Sequence, residues 1–289
     1  MKILISTDTS CLINKEGLDK FNISVFPLNV IIDGQEYLDG ITINQDELCK
    51  AMRANKIIKT STPPMGEVIN YFEKLFNKGY DQIIHFTISS KLSSMYDLFN
   101  NVSHSYFEGK VKVIDSYGLS SLMLSHILYT YDELNKGTSI DDIIKVIDKR
   151  KEDNSVVFIP ENLTALKNGG RISPAIAMIG NTLGLKPVLS LKEGKLDKES
   201  MTRNSKKFFQ EKIKEYSKKY NVNDYDYYIV SFDGKEAVLN YVLGCAKEVL
   251  GENNFHQGLI PINVCAHCGP GPIGLLVTPK INSKSISEF

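Results

Sequence analysis

The chain has 289 residues, of which 42% are hydrophobic and 24% are charged. This length allows one large core or two smaller ones, because domains typically hold about 100 to 150 residues, and it excludes a disordered tail or a small disulfide-stapled domain. The 34 lysines and arginines balance the 34 aspartates and glutamates, so charge gives no support for a protein that binds nucleic acid or a membrane surface electrostatically.

The first apolar run stops at Ile5, which is too short for a signal-peptide core of about 7 to 15 residues. No later stretch reaches the roughly 18 apolar residues of a spanning helix. The five scattered cysteines favour reduced thiols over a disulfide framework. We therefore expect a cytoplasmic protein without a transmembrane segment, and transient membrane contact is compatible with this expectation.

Buried strands alternate with helices over the first half of the chain. Strands are predicted at 2–6, 24–32, 82–88 and 110–114, and helices at 44–54, 63–78, 93–106, 119–134 and 139–150. This alternation indicates α/β architecture with a mostly parallel sheet and helices on both faces. The charged stretch 150–154 predicts a boundary that separates an N-terminal α/β domain (1–153) from a C-terminal α/β domain (154–282), followed by a tail (283–289).

The second half mixes antiparallel strands into its sheet. The prediction is a strand at 155–159, a short helix closed by Gly169 and Gly170, an apolar helix at 175–183 capped by Ser173, a hairpin at 186–201, a helix at 205–219, a strand at 227–232 and a helix at 236–250. A hairpin next to strand–helix alternation indicates a mixed sheet with helices.

Two runs of hydroxyl residues lie where a strand or loop gives way to a helix. The first is Thr60-Ser61-Thr62 and the second is the serine-rich run 89–94. Their hydroxyls and free backbone N–H groups can converge on one acceptor-rich head group, which favours binding over catalysis. The alternative is helix capping, with Thr62 as an N-cap before a proline and Ser93 as the cap of the helix at 93–106.

Two further residues have both a functional and a structural interpretation. Asp8 follows the first strand, where open α/β sheets bind ligands, but it could equally form an Asx turn. Arg171 follows Gly169 and Gly170, which allow close approach of another group; the alternative is a glycine C-cap beside a surface arginine.

The stretch 265–274 allows three interpretations. Its glycines match the spacing of a dinucleotide fingerprint, but prolines interrupt it and too few residues follow for the required helix, strand and acid. Cys265 and Cys268 have the spacing of a thiol pair or half a zinc site, with no second pair in the sequence. His267 is either aimed at a ligand from a Gly-Pro loop or structural. We therefore expect no metal and no cofactor.

Together these motifs resemble the DegV family of bacterial fatty-acid-binding proteins, over nearly the whole chain. The residues that carry the resemblance are Thr7–Ser10, Thr60–Pro63, Ser89–Ser93, Val113–Ser116, Gly169–Ser173, Lys186–Leu189, Arg203 and His267–Gly271. The resemblance implies two α/β domains that clasp one long-chain fatty acid. It also implies a non-catalytic, lipid-binding subunit of a fatty acid kinase, which presents the carboxylate to a separate ATP-dependent subunit for acyl phosphate formation.

The resemblance assigns site residues one by one. The carboxylate would lie on Thr60 and Ser93, with Ser61 and Ser94 nearby, and the residues flanking the opening would be His267, Gly271 and Arg171. The chain departs from the family at Ser94, Ser121 and Met123, where glycine is usual, and at Cys268, where threonine is usual.

Arg171 and Arg203 each follow a turn or the end of a strand, so local helix pairing does not account for them. The resemblance places them around the exposed carboxylate, and we expect them to dock the kinase subunit. The apolar helix at 175–183 is expected to line the tunnel for the acyl chain.

Two other function classes stay open at this point. A stand-alone serine hydrolase acting on acyl esters would use Ser93, His267 and either Asp8 or Asp115, although no G-x-S-x-G elbow occurs. A regulatory DNA-binding protein would need a basic stripe or a helix-turn-helix, and the sequence gives no sign of either.

Overall fold

The computed structural model describes residues 2–11, 15–161, 163–178, 184–233, 236–282 and 284, and within them the strands form three sheets. The strands are β1 (Ile3–Asp8), β2 (Ser24–Phe26), β3 (Asn29–Ile32), β4 (Gln35–Leu38), β5 (Ile58–Ser61), β6 (Gln82–Thr87), β7 (Val111–Asp115), β8 (Ser155–Ile159), β9 (Lys186–Lys192), β10 (Lys195–Thr202), β11 (Tyr225–Ser231), β12 (Phe255–Leu259) and β13 (Ile273–Pro279). The helices are α1 (Lys15–Phe21), α2 (Gln45–Arg53), α3 (Met65–Phe76), α4 (Met95–Tyr106), α5 (Ser120–Asn135), α6 (Ile140–Glu152), α7 (Thr164–Asn168), α8 (Pro174–Ala177), α9 (Ser205–Lys219), α10 (Glu236–Leu250) and α11 (Ile262–Cys268).

The first sheet is parallel throughout, in the order β2-β1-β6-β7. Its strands are apolar runs buried on both faces, as expected where helices cover a parallel sheet. Helices α3 and α4 pack on one face around Phe72 and Phe99, and α5 packs on the other around Phe86 and Ile127. The predicted parallel α/β arrangement of the first half is confirmed.

The second sheet has six strands in the order β10-β9-β8-β13-β11-β12. Only β11 and β12 pair in parallel among these described strands; the other neighbours are antiparallel. One face packs against α9 and α10 through residues such as Phe209 and Val242. The predicted mixed sheet is confirmed, as are the β9–β10 hairpin and the bounds of α9 and α10.

A small antiparallel sheet, β4-β3-β5, was not predicted. The predicted strand at 24–32 divides into β2 and β3, and β5 occupies a segment with no predicted structure. Capping by Thr62 was wrong: Pro64 is the N-cap of α3, and the Thr62 hydroxyl meets that of Ser94 at 2.8 Å. Capping by Ser93 was also wrong, because the N-cap of α4 is Ser94 and its side chain makes no capping bond.

The chain around 262–279 also differs from the prediction. His267 lies in the last turn of α11 and not in a loop, and β13 begins soon after it. Helix α8 begins at the predicted cap, where the Ser173 hydroxyl accepts from the Ile176 N–H. It ends at Ala177 in the described part of the chain, and the rest of the predicted helix, 179–183, lies outside that part. The predicted tail lies outside it too, apart from Lys284.

The proposed division between 153 and 154 falls between α6 and β8. The largest core cluster nevertheless contains residues of both halves: Leu122 and Ile127 of α5 share it with Val230 and Leu276 of the second sheet. Helix α5 therefore packs between the two large sheets, and the division stays a prediction. No helix in the described residues is long and apolar enough to cross a bilayer.

Candidate functional site

A cavity lies between the second sheet and the loops at the carboxyl ends of β1, β5 and β6. The centre of a water molecule can occupy about 140 Å³ of this cavity, which is roughly ten times the volume that one buried water needs. Most of its wall is apolar, and the apolar side chains are Leu28, Ile88, Leu92, Met95, Leu119, Val156, Phe158, Leu166, Leu191, Leu196, Val230, Ile260, Val264, Cys268 and Leu276. Such a wall suits a hydrocarbon chain.

Polar side chains also line this cavity, and one pair of them joins the two halves of the chain. Thr60 Oγ1 lies 2.8 Å from His267 Nε2, a contact that joins β5 to α11. Burial, with the nearby charge of Arg171, lowers the pKa of His267 to about 4, so its imidazole is neutral at neutral pH. Gly169 leaves room for this ring, since a Cβ at that position would lie 2.5 Å from His267 Nδ1.

Ser61 and Ser93 also line the cavity. Among the described residues the Ser93 hydroxyl has no hydrogen-bond partner, so it is available to a ligand. Ser94 lies outside the cavity wall, is exposed and contacts Thr62. Its φ of −77° is ordinary, so the serine fits this backbone without strain.

Arg171 lines the cavity with its guanidinium held by main-chain oxygens. Its Nε donates to the Leu92 carbonyl at 3.0 Å, and its Nη1 donates to the Gly169 carbonyl. Leu92 precedes Ser93, so this arginine ties the second half of the chain to the serine loop. Partial burial lowers the pKa of Arg171 from its usual value, and the group stays charged.

Gly271 and Arg203 lie outside the cavity wall in the described structure. Gly271 has a φ of +83°, which favours glycine, and a Cβ there would lie 2.8 Å from Glu161 Oε2 and would displace the end of that side chain. Arg203 is exposed at the end of β10 and forms no ion pair with a described residue.

The two aspartates considered for a catalytic triad hold loops instead. Asp8 is buried and accepts from the backbone N–H groups of Ser10 (2.8 Å) and Ile88 (2.9 Å); burial raises its pKa and these bonds oppose the rise. Asp115 accepts from the N–H groups of Ser90 and Tyr117. No hydrogen bond among the described residues joins His267 to Ser93, so the structure does not assemble the hydrolase arrangement.

The sequence interpretation missed three polar residues of the cavity wall. Ser10, Ser120 and Asn263 line it, and Ser10 bonds to both of the others: Ser10 Oγ donates to Asn263 Oδ1 at 3.2 Å, and the Ser120 N–H donates to the Ser10 carbonyl at 2.7 Å. Ser10 belongs to the turn after β1, and the sequence already indicated that ligands bind at the end of this strand. Its hydroxyl was therefore a signal from which Ser10 could have been predicted. Asn263 had no local signal.

At the positions where the chain departs from the family pattern, Ser121 and Met123 are both fully buried in α5. Met123 belongs to the main core cluster, and the Ser121 hydroxyl has no partner among the described residues. Cys268 is part of the cavity wall, and burial raises its pKa to about 12, so its thiol is an unreactive apolar group.

Comparison with known proteins gives consistent matches over the full chain. A family model described as "DegV: Uncharacterised protein, DegV family" matches residues 2–280. A DegV domain-containing protein of Staphylococcus aureus (strain N315) is 31% identical over 286 residues, which cover 96% of this chain and 99% of the relative.

Solved structures with the same fold include two with a stated ligand class. One is a fatty-acid-binding DegV family protein from Thermus thermophilus, with a TM-score of 0.86 and 25% identity over 97% of this chain and 100% of that one. The other is a stearic acid-binding protein from Eubacterium ventriosum ATCC 27560, with a TM-score of 0.84 and 26% identity over 98% of this chain and 100% of that one.

Proposed function

The chain belongs to the DegV family, and from this premise we propose that it binds one long-chain fatty acid in the cavity between its two large sheets. The carboxylate lies at Thr60 and Ser93, and the acyl chain runs along the apolar wall. The observation that carries this proposal is a mostly apolar cavity whose wall also contains the hydroxyls of Thr60, Ser61 and Ser93. The ligand class also agrees with the two fatty-acid-binding neighbours.

The acyl chain supplies most of the affinity. Burying about 15 methylenes at roughly 0.8 kcal/mol each gains about 12 kcal/mol before the costs of ordering the ligand are subtracted. A head group that needs only orientation can therefore be held by a few weak polar contacts.

The polar residues of the cavity wall provide such contacts. The hydroxyls of Ser93, Ser61 and Thr60 are neutral donors, and the low pKa of His267 keeps its ring neutral as well. Arg171 already donates to two carbonyl oxygens, so fewer of its N–H groups are available to a carboxylate. Neutral donors hold a carboxylate less strongly than a bidentate arginine would, so the head group stays reactive and releasable.

Extraction of the purified protein under denaturing conditions, followed by mass spectrometry of the lipid fraction, tests the ligand class. Recovery of about one fatty acid per chain is expected, and a lipid-free protein that also fails to bind added fatty acid would contradict the proposal.

The Ser93→Ala variant tests the head-group contact. Loss of a hydrogen bond to a charged group costs about 1.5 to 3 kcal/mol, so Kd for the fatty acid should rise at least tenfold. Affinity for the fatty acid methyl ester should change much less. Ser105→Ala is a matched control, because Ser105 is exposed on α4, the helix that follows Ser93, and does not line the cavity. If Ser93→Ala binds the acid as the parent does, Ser93 does not contact the carboxylate.

We further propose that the protein is the non-catalytic subunit of a fatty acid kinase that supplies acyl phosphate for phospholipid metabolism in the cytoplasm. The exposed Arg203 is well suited to dock a separate ATP-dependent subunit, since no described acid pairs with it and arginine is favoured at interface hot spots. Arg171 would contribute from the rim of the cavity, where it also holds the serine loop.

Kinase coupling is tested with Arg203→Ala and Arg171→Ala in the presence of a DegV-associated kinase subunit and ATP. Arg203→Ala should keep fatty acid binding, and both variants should lose most acyl phosphate formation. Lys206→Ala, which changes a cation at the start of α9, serves as the charge-matched comparison. Lost lipid binding with coupling intact would assign the arginines to the head-group pocket and remove the docking proposal.

A further inference from the structure

The cavity wall contains a second cluster of polar residues besides those of the proposed head-group site. Ser10, Ser120 and Asn263 line the cavity beside apolar residues such as Val230 and Ile260. All three polar residues are buried. A saturated hydrocarbon chain passing them would leave polar atoms against methylene groups, which is unfavourable unless those atoms have partners.

Most hydrogen-bonding atoms of these three residues already have partners. Asn263 donates through Nδ2 to Thr9 Oγ1 (3.2 Å) and Asp39 Oδ2 (2.8 Å), and its Oδ1 accepts from Ser10 Oγ. The amide therefore uses both of its donors and its acceptor. The Ser10 hydroxyl uses its hydrogen in the bond to Asn263, but its oxygen keeps lone pairs that can accept a hydrogen bond.

Ser120 is the exception. Its side chain is 1% exposed, and Oγ has no hydrogen-bond partner among the described residues. It is the first residue of α5, a helix of 16 residues, so the positive end of the helix dipole lies at the same point of the cavity wall. A buried hydroxyl beside a helix N-terminus is poised to donate to an oxygen atom of a ligand.

We infer that the cavity accepts an acyl chain that carries one hydroxyl group, so the substrate class includes hydroxy fatty acids. The ligand oxygen accepts from Ser120 Oγ, and the ligand O–H donates to Ser10 Oγ. The two serines are adjacent, because the Ser120 N–H donates to the Ser10 carbonyl at 2.7 Å. This inference rests on the proposed function and specifies its substrate.

The position of the hydroxyl follows from α11. Asn263, which bonds Ser10, and His267, which bonds Thr60, are four residues apart on this helix, a separation of about 6 Å along its axis. The second polar cluster therefore lies close to the proposed head group. The recognised hydroxyl belongs to the half of the acyl chain nearer the carboxylate.

The test measures Kd for stearic acid and for three hydroxystearic acids, with the hydroxyl near the carboxyl group, at mid-chain or near the methyl end. The full-length parent, Ser120→Ala and Ser121→Ala are compared. Ser121 is the matched control, since its hydroxyl is also buried without a partner in the described structure, one residue further along α5, but does not line the cavity.

The parent is expected to bind one of the first two isomers about tenfold more tightly than stearic acid, and the methyl-end isomer no better. Ser120→Ala should lose this ratio, while Ser121→Ala should keep it. If Ser120→Ala unfolds, Ser10→Ala provides the second measurement of the same ratio.

The outcomes separate this inference from the proposed function. Binding of stearic acid without preference for any hydroxylated isomer overturns the inference alone. A preference that survives Ser120→Ala and Ser10→Ala also overturns it, as does an equal loss of affinity for every acid, which would mean that Ser120 serves only structure. Failure of all four acids to bind removes the proposed function together with it.

Discussion

Replacing Gly169 with alanine tests the role of His267 without changing any polar group. Gly169 has φ −76°, so the backbone accepts alanine without strain. The new Cβ would lie 2.5 Å from His267 Nδ1 and 3.4 Å from its Cε1. Non-bonded atoms settle near 3.5 Å, so the ring would have to move by about 1 Å.

A shift of this size breaks the contact between His267 Nε2 and Thr60 Oγ1, which is now 2.8 Å long. Loss of one such hydrogen bond costs about 0.5 to 1.5 kcal/mol, which lowers the midpoint of thermal unfolding by about 1 to 3 °C for a chain of this size. Because Thr60 is proposed to bind the carboxylate, its loss of orientation should raise Kd for a fatty acid by roughly three- to tenfold.

Isothermal titration calorimetry with a fatty acid and thermal unfolding followed by circular dichroism measure both effects. Gly244→Ala is the control, since a Cβ there meets nothing within 4 Å and alanine is favoured inside a helix. The double variant Gly169→Ala/Thr60→Val should bind the fatty acid no more weakly than Thr60→Val alone. Unchanged affinity in Gly169→Ala, or effects that simply add in the double variant, would refute the link from Gly169 through His267 to Thr60.

Three further predictions concern stability and chain length. Burial lowers the pKa of His85 to about 3, so only the unfolded state takes up this proton and stability falls as the pH drops from about 6.5 to about 3. In His85→Phe the slope of the unfolding free energy against pH, measured with urea, should be smaller by up to about 1.4 kcal/mol per pH unit, and identical slopes would contradict this. Gly194→Ala puts a Cβ onto Ser89 Oγ at a φ of +77°, so the bond from Ser89 to the Gly194 carbonyl should break and the melting temperature should fall by several degrees, whereas an unchanged melt would show that the hairpin can shift freely. Val156 and Leu191 line both the cavity and a neighbouring surface groove, so Leu191→Ala should allow longer acyl chains to bind, measured with a series of fatty acids of increasing length. If the longest acyl chain bound is the same as in the parent, the end of the chain lies elsewhere.

The regular elements were predictable because their signals are local. The helices predicted at 44–54 and 139–150 start at the polar residues Asn44 and Ser139, and the structure shows both side chains accepting from backbone N–H groups at the helix N-terminus. Helices α9 and α10 begin and end where their apolar periodicity does. The misses are short elements: β4 and β5 have four residues each, which is too few for a clear two-residue period.

The site depends on pairings that no local pattern encodes. Thr60 and His267 are 207 residues apart, and Ser10 and Asn263 are separated by 253. His267 was expected in a loop because glycines and prolines follow it, but those residues mark the end of α11 and not its absence. Sequence reasoning could therefore name the hydroxyl runs, and only the fold could show which partner each hydroxyl meets.

Three contacts between the halves of the chain surround the proposed head-group site. Ser89 Oγ donates to the Gly194 carbonyl at 2.7 Å, Arg171 Nε donates to the Leu92 carbonyl at 3.0 Å, and Thr60 meets His267.

The first two of these contacts hold the loop 89–93 at Ser89 and at Leu92, so Ser93 is positioned by residues of the second half of the chain. A ligand that binds only when the halves are together stabilises that arrangement by mass action, by about 2.7 kcal/mol at a concentration 100 times its Kd. Fatty acid binding should therefore protect the amides of loop 89–93 from hydrogen exchange together with those of the β9–β10 turn, although the turn itself need not touch the ligand. Protection of the loop alone would mean that the two halves close independently of the ligand.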